Sequence, residues 1–534
     1  MGGTRRVLGP LPRVTAHRRH QQTGTGHGHP SVLVPVPAQR TGAHDDATAP
    51  VGRSGRHERP VAPHGPARHR ARLPPTLVVA ALGALVGACV FAAVGRALVD
   101  DAYISLDYAR TLGLSGGWGM YPGLTANTAT SPLTVLLTGG VTALTRDAFA
   151  ATGVVLALTF AATGAGLTRI GDRLGLPAHR APAFGLSLLA TSPLLLSTVG
   201  LESYLALALM TGLAERALAR GRWTTGVLAG LLVLTRPDLV VVGLVAVAVA
   251  GRGWWKVALA ASATALPWAA WSWWVLGSAV PDTLLVKSGV RWGPWDYANG
   301  PLLWWAKFPV ATALIAVPAV AGLVALPFWL RSHGPRPVGA VLGLGSLAHA
   351  GVMCSLEVAP FHWYYAPAAG GLGLLAALTC ARAQRPPVRI AATAGAAALA
   401  VTCVATAAGA VLPPLTSNWA TMAQYVRIAD SLPTGATVES PGEVGTLAYH
   451  CRCRVLDGLA DRGSLSPLIE SGVAAATGPA GWLLRLNYLR FRPVPPAPRQ
   501  YRITTRVVRD PTAPMGTPWG PQRTWSLEAV PPAR

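Results

Sequence analysis

Charge is scarce in this sequence, and acidic charge scarcest. Of 534 residues only 13% are charged, with 22 Asp and Glu against 45 Lys and Arg, while half are apolar and gathered in long uninterrupted blocks. That excludes an ordinary water-soluble enzyme and reads as a membrane-embedded chain. Cysteine is sparse as well: the six are scattered, so neither a zinc site nor a disulfide framework follows. Cys451 and Cys453 stand in a polar region, and we read them as unpaired packing residues. Short alternating segments, the mark of a transmembrane barrel, are missing too. A bundle of helices, each satisfying its own backbone groups in lipid, remains.

The apolar blocks at 77–99, 257–276 and 388–412 have the roughly 20 residues needed to cross about 30 Å of hydrocarbon. Residues 1–72 are rich in Arg, His, Gly and Pro without an apolar period, which predicts a disordered basic tail held in the cytoplasm. The net charge of +23 comes from this tail and from short loops, so it reports topology and predicts no nucleic-acid partner. The cationic clusters are Arg169/Arg173/Arg180, Arg216/Arg220/Arg222, Arg252/Lys256, Arg331/Arg336 and Arg382/Arg385/Arg389. Placing them all on the side of the tail makes 100–147 an outer loop in which 131–145 dips into the interface. It also makes Arg236-Pro237-Asp238 the tip of a hairpin of two short helices. The expectation is mainly α: a polytopic bundle of about eleven spans over 73–412, followed by a small extracytoplasmic α/β domain at 413–534.

The functional residues gather on the outer side. Asp100 and Asp101 emerge together from the first span, and a helix starting there puts Ile104, Tyr108 and Leu112 on one face, able to lie along the interface. Capping of that helix is the plainer role for the two acids. Glu202, Asp238 and Asp282 lie on the same side, accompanied by Arg236 and Lys287 against the positive-inside trend. Outer cations among acids suit an anionic ligand such as a phosphate, with local ion pairing, Arg236 to Asp238 for example, as the alternative.

Taken in order, these segments resemble a known group. The series is Asp100-Asp101-Ala102-Tyr103-Ile104-Ser105, Thr130-Ser131-Pro132, Gly200-Leu201-Glu202-Ser203, Leu234-Thr235-Arg236-Pro237-Asp238, Pro281-Asp282-Thr283, Pro441-Gly442-Glu443 and Val455-Leu456-Asp457-Gly458-Leu459. It is similar to actinobacterial GT-C glycosyltransferases, nearest to the polyprenyl-phosphate arabinofuranosyltransferases, over about 75–460. The resemblance implies an inverting transfer of a sugar, arabinofuranose in those relatives, from a polyprenyl-phosphate donor to a cell-envelope glycan at the outer face of the bilayer. It implies Asp101, or else Asp100, as general base, and Lys287 and Arg236 as phosphate contacts. His362, in Phe361-His362-Trp363-Tyr364-Tyr365, is a third phosphate candidate or an interfacial histidine. No cofactor is certain; a divalent cation at the outer acids is compatible. The segment 124–129 departs from the acidic-aromatic stretch common in relatives, which weakens any inference about the acceptor. A lipid-sugar flippase and a non-catalytic cell-wall scaffold are the competing readings.

A disordered cytoplasmic tail cannot touch an outer-face site. Deleting residues 2–70 is therefore expected to leave the turnover of purified protein unchanged, and loss of turnover in a folded truncation would contradict that reading.

Overall fold

The computed structural model describes residues 73–407, 412–510 and 512–531. The chain divides into two units, Met1–Arg70 and Ala71–Arg534, and the described residues all fall in the second. The basic tail expected at 1–72 lies outside them.

Among the described residues five helices are long and apolar enough to cross a membrane: Pro75–Ala97, Ala148–Arg173, Pro309–Arg331, Arg336–Ser355 and His362–Ala381. Their contacts are made by small residues. Gly83 lies against Phe160 and Gly87 against Ala157, so the first two run antiparallel, and a Cβ on Gly87 would stand 2.9 Å from the Ala157 backbone. Where lipid offers no hydrophobic drive between helices, such close approach supplies the attraction.

The chain breaks at Arg236, whose backbone is extended (φ −156°, ψ 125°) between helices Arg222–Thr235 and Val240–Val249. Gly243 packs on Ala229, nearly symmetric about the break, so the second helix runs back along the first. The following helix, Trp254–Trp271, runs parallel to the first: Gly226 meets Val257 and Ala260, and Gly230 meets Ala261 and Thr264. Parallel neighbours in sequence require a returning segment between them, which is the hairpin read from the Arg-Pro-Asp interruption.

The helix Asp100–Ser115 has Val99 as its N-cap residue, with no side-chain cap, so neither acid caps it. Its Ile104 and Tyr108 are buried in one apolar cluster with Val438, Val444, Leu447 and Val455 of the C-terminal region. The expected interfacial face is thus covered by protein, because residues some 330 positions away in sequence supply a partner that periodicity cannot see. That C-terminal region carries a four-stranded sheet, β1 (Thr437–Glu439), β2 (Arg454–Leu456), β3 (Tyr501–Val507) and β4 (Arg523–Ala529), in the order β2-β1-β3-β4. β1 pairs in parallel with β2 and β3, and β4 closes the edge antiparallel to β3.

One expectation fails here. Cys451 and Cys453 form a disulfide. Cys451 ends the helix Gly445–His450 and the chain bends before β2, bringing the two Cα atoms to 5.0 Å, where an extended pair would stand roughly 6.6 Å apart.

Gly445 lies directly on the backbone of the Asp100–Ser115 helix, where a Cβ would collide with the Asp100 carbonyl and stand 2.9 Å from the Ile104 nitrogen. Gly445→Val is expected to destabilise by about 1–3 kcal/mol, read as a lowered thermal midpoint in detergent; an unchanged midpoint would refute this contact.

Candidate active site

Seven chain segments converge on one cleft. It is lined by Asp101 and Ser105 of the Asp100–Ser115 helix, Thr128, Thr130 and Ser131 from the loop that follows, Glu202 before the helix Ser203–Leu218, and Arg236 at the hairpin break. Thr283 and Lys287 of the helix Thr283–Gly289, Trp363 and Tyr364 at the start of the last long span, and Leu459 from the loop after β2 complete it. The enclosed space is only about 30 Å³, little more than a water, and it abuts a second cavity of about 110 Å³. The two share Thr130, Arg236, Thr283, Lys287 and Tyr364, and the second continues into apolar walls of Pro281, Leu284, Met353, Leu356 and Val358.

At the centre Lys287 Nζ lies 3.1 Å from Asp101 Oδ2. The ammonium also stands 5.4–5.9 Å from the ring centroids of Phe361, Trp363 and Tyr364, a partial cage of the kind that attracts a cation. Burial is the largest single influence on Lys287 and by itself lowers its pKa, but Asp101, Tyr364 and Glu202 together outweigh it and hold the lysine protonated well above its ordinary range.

Arg236 is differently occupied. Its guanidinium binds Glu202 at 2.7 Å and Asp238 Oδ2 at 2.9 Å and lies 4.9 Å from the Tyr364 ring centroid, while His349 Nε2 lies 2.9 Å from the same Asp238 oxygen. Two carboxylates on one cation leave little net positive charge for a ligand; the local pairing weighed as the alternative is the geometry found. Arg236 thereby ties the hairpin tip to the start of the Ser203–Leu218 helix.

Asp100 and Asp101 diverge. Asp100 is buried and accepts the backbone N–H groups of Val444, Gly445 and Thr446 at 2.7–3.0 Å, so its carboxylate is fully engaged in fastening the C-terminal region. Asp282 is also held away from the cleft lining, ion-paired with Arg462 at 3.0 Å and accepting from Ser278. His362 is buried with Nε2 3.2 Å from the Ser197 carbonyl and its ring edge-on to Trp304, and it does not line the cleft. Trp363, Tyr364, Thr130, Ser131 and Leu459 line the cleft without having been assigned a site role from the sequence. Trp363 and Tyr364 stand beside His362 in sequence, while Thr130, Ser131 and Leu459 carry no signal beyond their motifs.

Two further carboxyls sit near the acid pair. Burial, with the charges of Asp100 and Asp101, pushes Glu443 well above the usual carboxylate range. Burial likewise pushes Asp457 up, to about 6, against the N–H groups of Ala460 and Leu459 that pull it down. Among the described residues no group of three or more His, Cys, Asp or Glu side chains is arranged to hold a metal ion.

The chain has the fold of ArnT from Cupriavidus metallidurans, solved with bound undecaprenyl phosphate, on which it superposes with a TM-score of 0.52 and 15% identity, over 84% of this chain and 97% of that one. The oligosaccharyltransferase of Archaeoglobus fulgidus matches at a TM-score of 0.46 and 12% identity, over 80% of this chain and 69% of that one. The mycobacterial arabinofuranosyltransferase AftD matches at 0.42 and 18%, over 83% of this chain and 36% of that one. The shared fold rests on the first of these, and with the apolar helices it makes this a membrane protein. No protein-family model matches the chain, and no curated protein matches it by sequence.

Asp457 sets a pH dependence. Its carboxyl rises from an ordinary 3.8 to about 6 on folding, so between those values the folded state holds more protons than the unfolded one. Stability from this group is full below about pH 4 and is lost as pH rises through 6. Asp457→Asn keeps an oxygen for the two N–H groups and is expected to flatten the fall in thermal midpoint between pH 4.5 and 7; an unaltered slope would show that Asp457 titrates normally.

Proposed function

We propose that this chain is an inverting glycosyltransferase that moves a sugar from a polyprenyl-phosphate donor to a hydroxyl of a cell-envelope glycan or glycoconjugate at the outer face of the membrane. The observation that carries the reading is the Asp101–Lys287 ion pair inside a cleft walled by Trp363 and Tyr364. In the step, Asp101 takes the proton of the acceptor hydroxyl as its oxygen bonds to the anomeric carbon. The carbon–oxygen bond to the donor phosphate breaks, and the polyprenyl phosphate departs with its charge against Lys287. The donor phosphate draws Lys287 away from Asp101, which frees the carboxylate to accept a proton only when donor is present. The apolar second cavity beside Lys287 suits the first isoprene units. Arabinofuranose, from the motif resemblance, is the sugar to test first.

The topology belongs to the same reading: about eleven spans, a cytoplasmic N-terminus and the C-terminal region outside. Its supports are the cationic clusters and the hairpin, which carries Arg222 against Gly253 at the end away from Arg236. The Cys451–Cys453 disulfide suits an oxidising outer side. Against a flippase, the ionised groups of the site gather at one end of the bundle, and His349 is taken up by Asp238.

In a reconstituted assay with labelled polyprenyl-phosphate sugar, Asp101→Asn is expected to bind donor yet lose on the order of 10²–10⁴ in turnover. Lys287→Met should raise the donor KM as well as lower turnover. Asp100→Asn, which confronts backbone donors with an NH₂ group, should instead lower the thermal midpoint, on the order of 1–3 kcal/mol. Near-normal turnover in Asp101→Asn would sink the assignment and make Glu202 the next base to test.

A further inference from the structure

The short helix Gly478–Asn487 in the C-terminal region has two apolar faces, and one of them is largely exposed. Its inward face is used: Leu484, with Tyr488 just beyond the helix, packs in a cluster with Leu465, Ile469, Leu285 and Val286. On the roughly opposite side Trp482 is 60% exposed, Leu483 58% and Leu486 45%, and Leu489, just past the helix end, is 69% exposed. So dense a group of large apolar side chains is not an ordinary water-facing surface.

What covers it is indicated by what it adjoins. The segment is fastened to the cleft end of the Trp254–Trp271 helix: Trp273 Nε1 donates to the Leu486 carbonyl at 2.9 Å, and Asn487 Oδ1 accepts from the N–H groups of Ala279 and Val280 at 2.9 Å. The Arg490 guanidinium lies 3.7 Å from the Trp274 ring centroid. The Trp254–Trp271 helix exposes an apolar set of its own, Trp254, Leu259, Leu266 and Trp271, continued by Trp274 and Val275, so the two apolar surfaces adjoin at its cleft end. Cationic Arg485, Arg490 and Arg492 accompany the Trp and Leu side chains, the composition of a segment lying at a lipid headgroup boundary.

We propose that Gly478–Asn487 is an in-plane membrane helix, with the hydrocarbon of the leaflet on the cleft side against Trp482, Leu483, Leu486 and Leu489. Its inward face packs on Leu285 and Val286 of the helix that bears Lys287, so this anchor sets the depth of Lys287 relative to the headgroups. The inference needs only the membrane fold and stands apart from the sugar-transfer reading.

The test is spin-label accessibility in the full chain, with Cys89, Cys354, Cys380 and Cys403 replaced by alanine, in nanodiscs of phosphatidylethanolamine and phosphatidylglycerol. Labels at Trp482→Cys and Leu486→Cys are expected to be relaxed by oxygen and shielded from a water-soluble nickel chelate, and a label at Arg506→Cys on β3 to show the reverse. Leu489→Cys, beyond the helix, reads the same face should Trp482→Cys fail to fold. Nickel relaxation at 482, 486 and 489 as strong as at 506 would mean that the face lies in water and would overturn the proposal. Shielding from both reagents would mean cover by protein, such as a second copy, and would overturn it equally.

Discussion

Everything at the cleft depends on one partly buried ion pair, Asp101 with Lys287. An exposed pair contributes about 0–1 kcal/mol, but removing one partner of a shielded pair leaves the other without compensation. Here the lysine also stands 5.4–5.9 Å from the ring centroids of Phe361, Trp363 and Tyr364, whose faces attract a cation. In the proposed function a ligand enters by exchange: an anion that takes the lysine releases the carboxylate.

The pair holds because both partners stand on elements fixed elsewhere. Asp100 spends its whole carboxylate on three N–H groups of the segment 444–446, which pins the start of the helix that carries Asp101. Asp282, at the start of the helix that carries Lys287, is tied to Arg462 and receives no ligand role from its position. The C-terminal region thus serves as a clamp: it supplies the donors for Asp100, the cation for Asp282 and the Leu459 wall of the cleft.

The polar groups beside the ion pair are paired among themselves. Arg236, Glu202, Asp238 and His349 form a connected network in which the guanidinium is satisfied by two carboxylates. That network closes the hairpin tip beside the cleft while keeping charge away from the lipid-facing rows, where small residues make the helix contacts and large apolar ones face outward.

Much of this was legible before any coordinates. Apolar block length identifies a membrane bundle, because hydrocarbon thickness sets helix length. The Arg-Pro-Asp interruption at 236–238 marks the turning point, because proline and a charge pair do not continue a span. The motif order singled out Asp101, Glu202, Arg236 and Lys287, which do meet at one cleft. The separate fates of neighbouring acids were not legible. Asp100 and Asp101 have the same chemistry and adjacent positions, and one becomes a backbone anchor because residues 444–446 happen to reach it. Asp282 and His362 have site-like sequence surroundings, and Arg462 and Ser197, remote in sequence, engage them. The Cys451–Cys453 disulfide depended on a helix end that an alternating pattern conceals. Local pattern reports burial and periodicity, which are properties of a segment. Which carboxylate is consumed by structure and which is left facing a cation depends on partners hundreds of residues away, and only tertiary packing brings them within hydrogen-bond range.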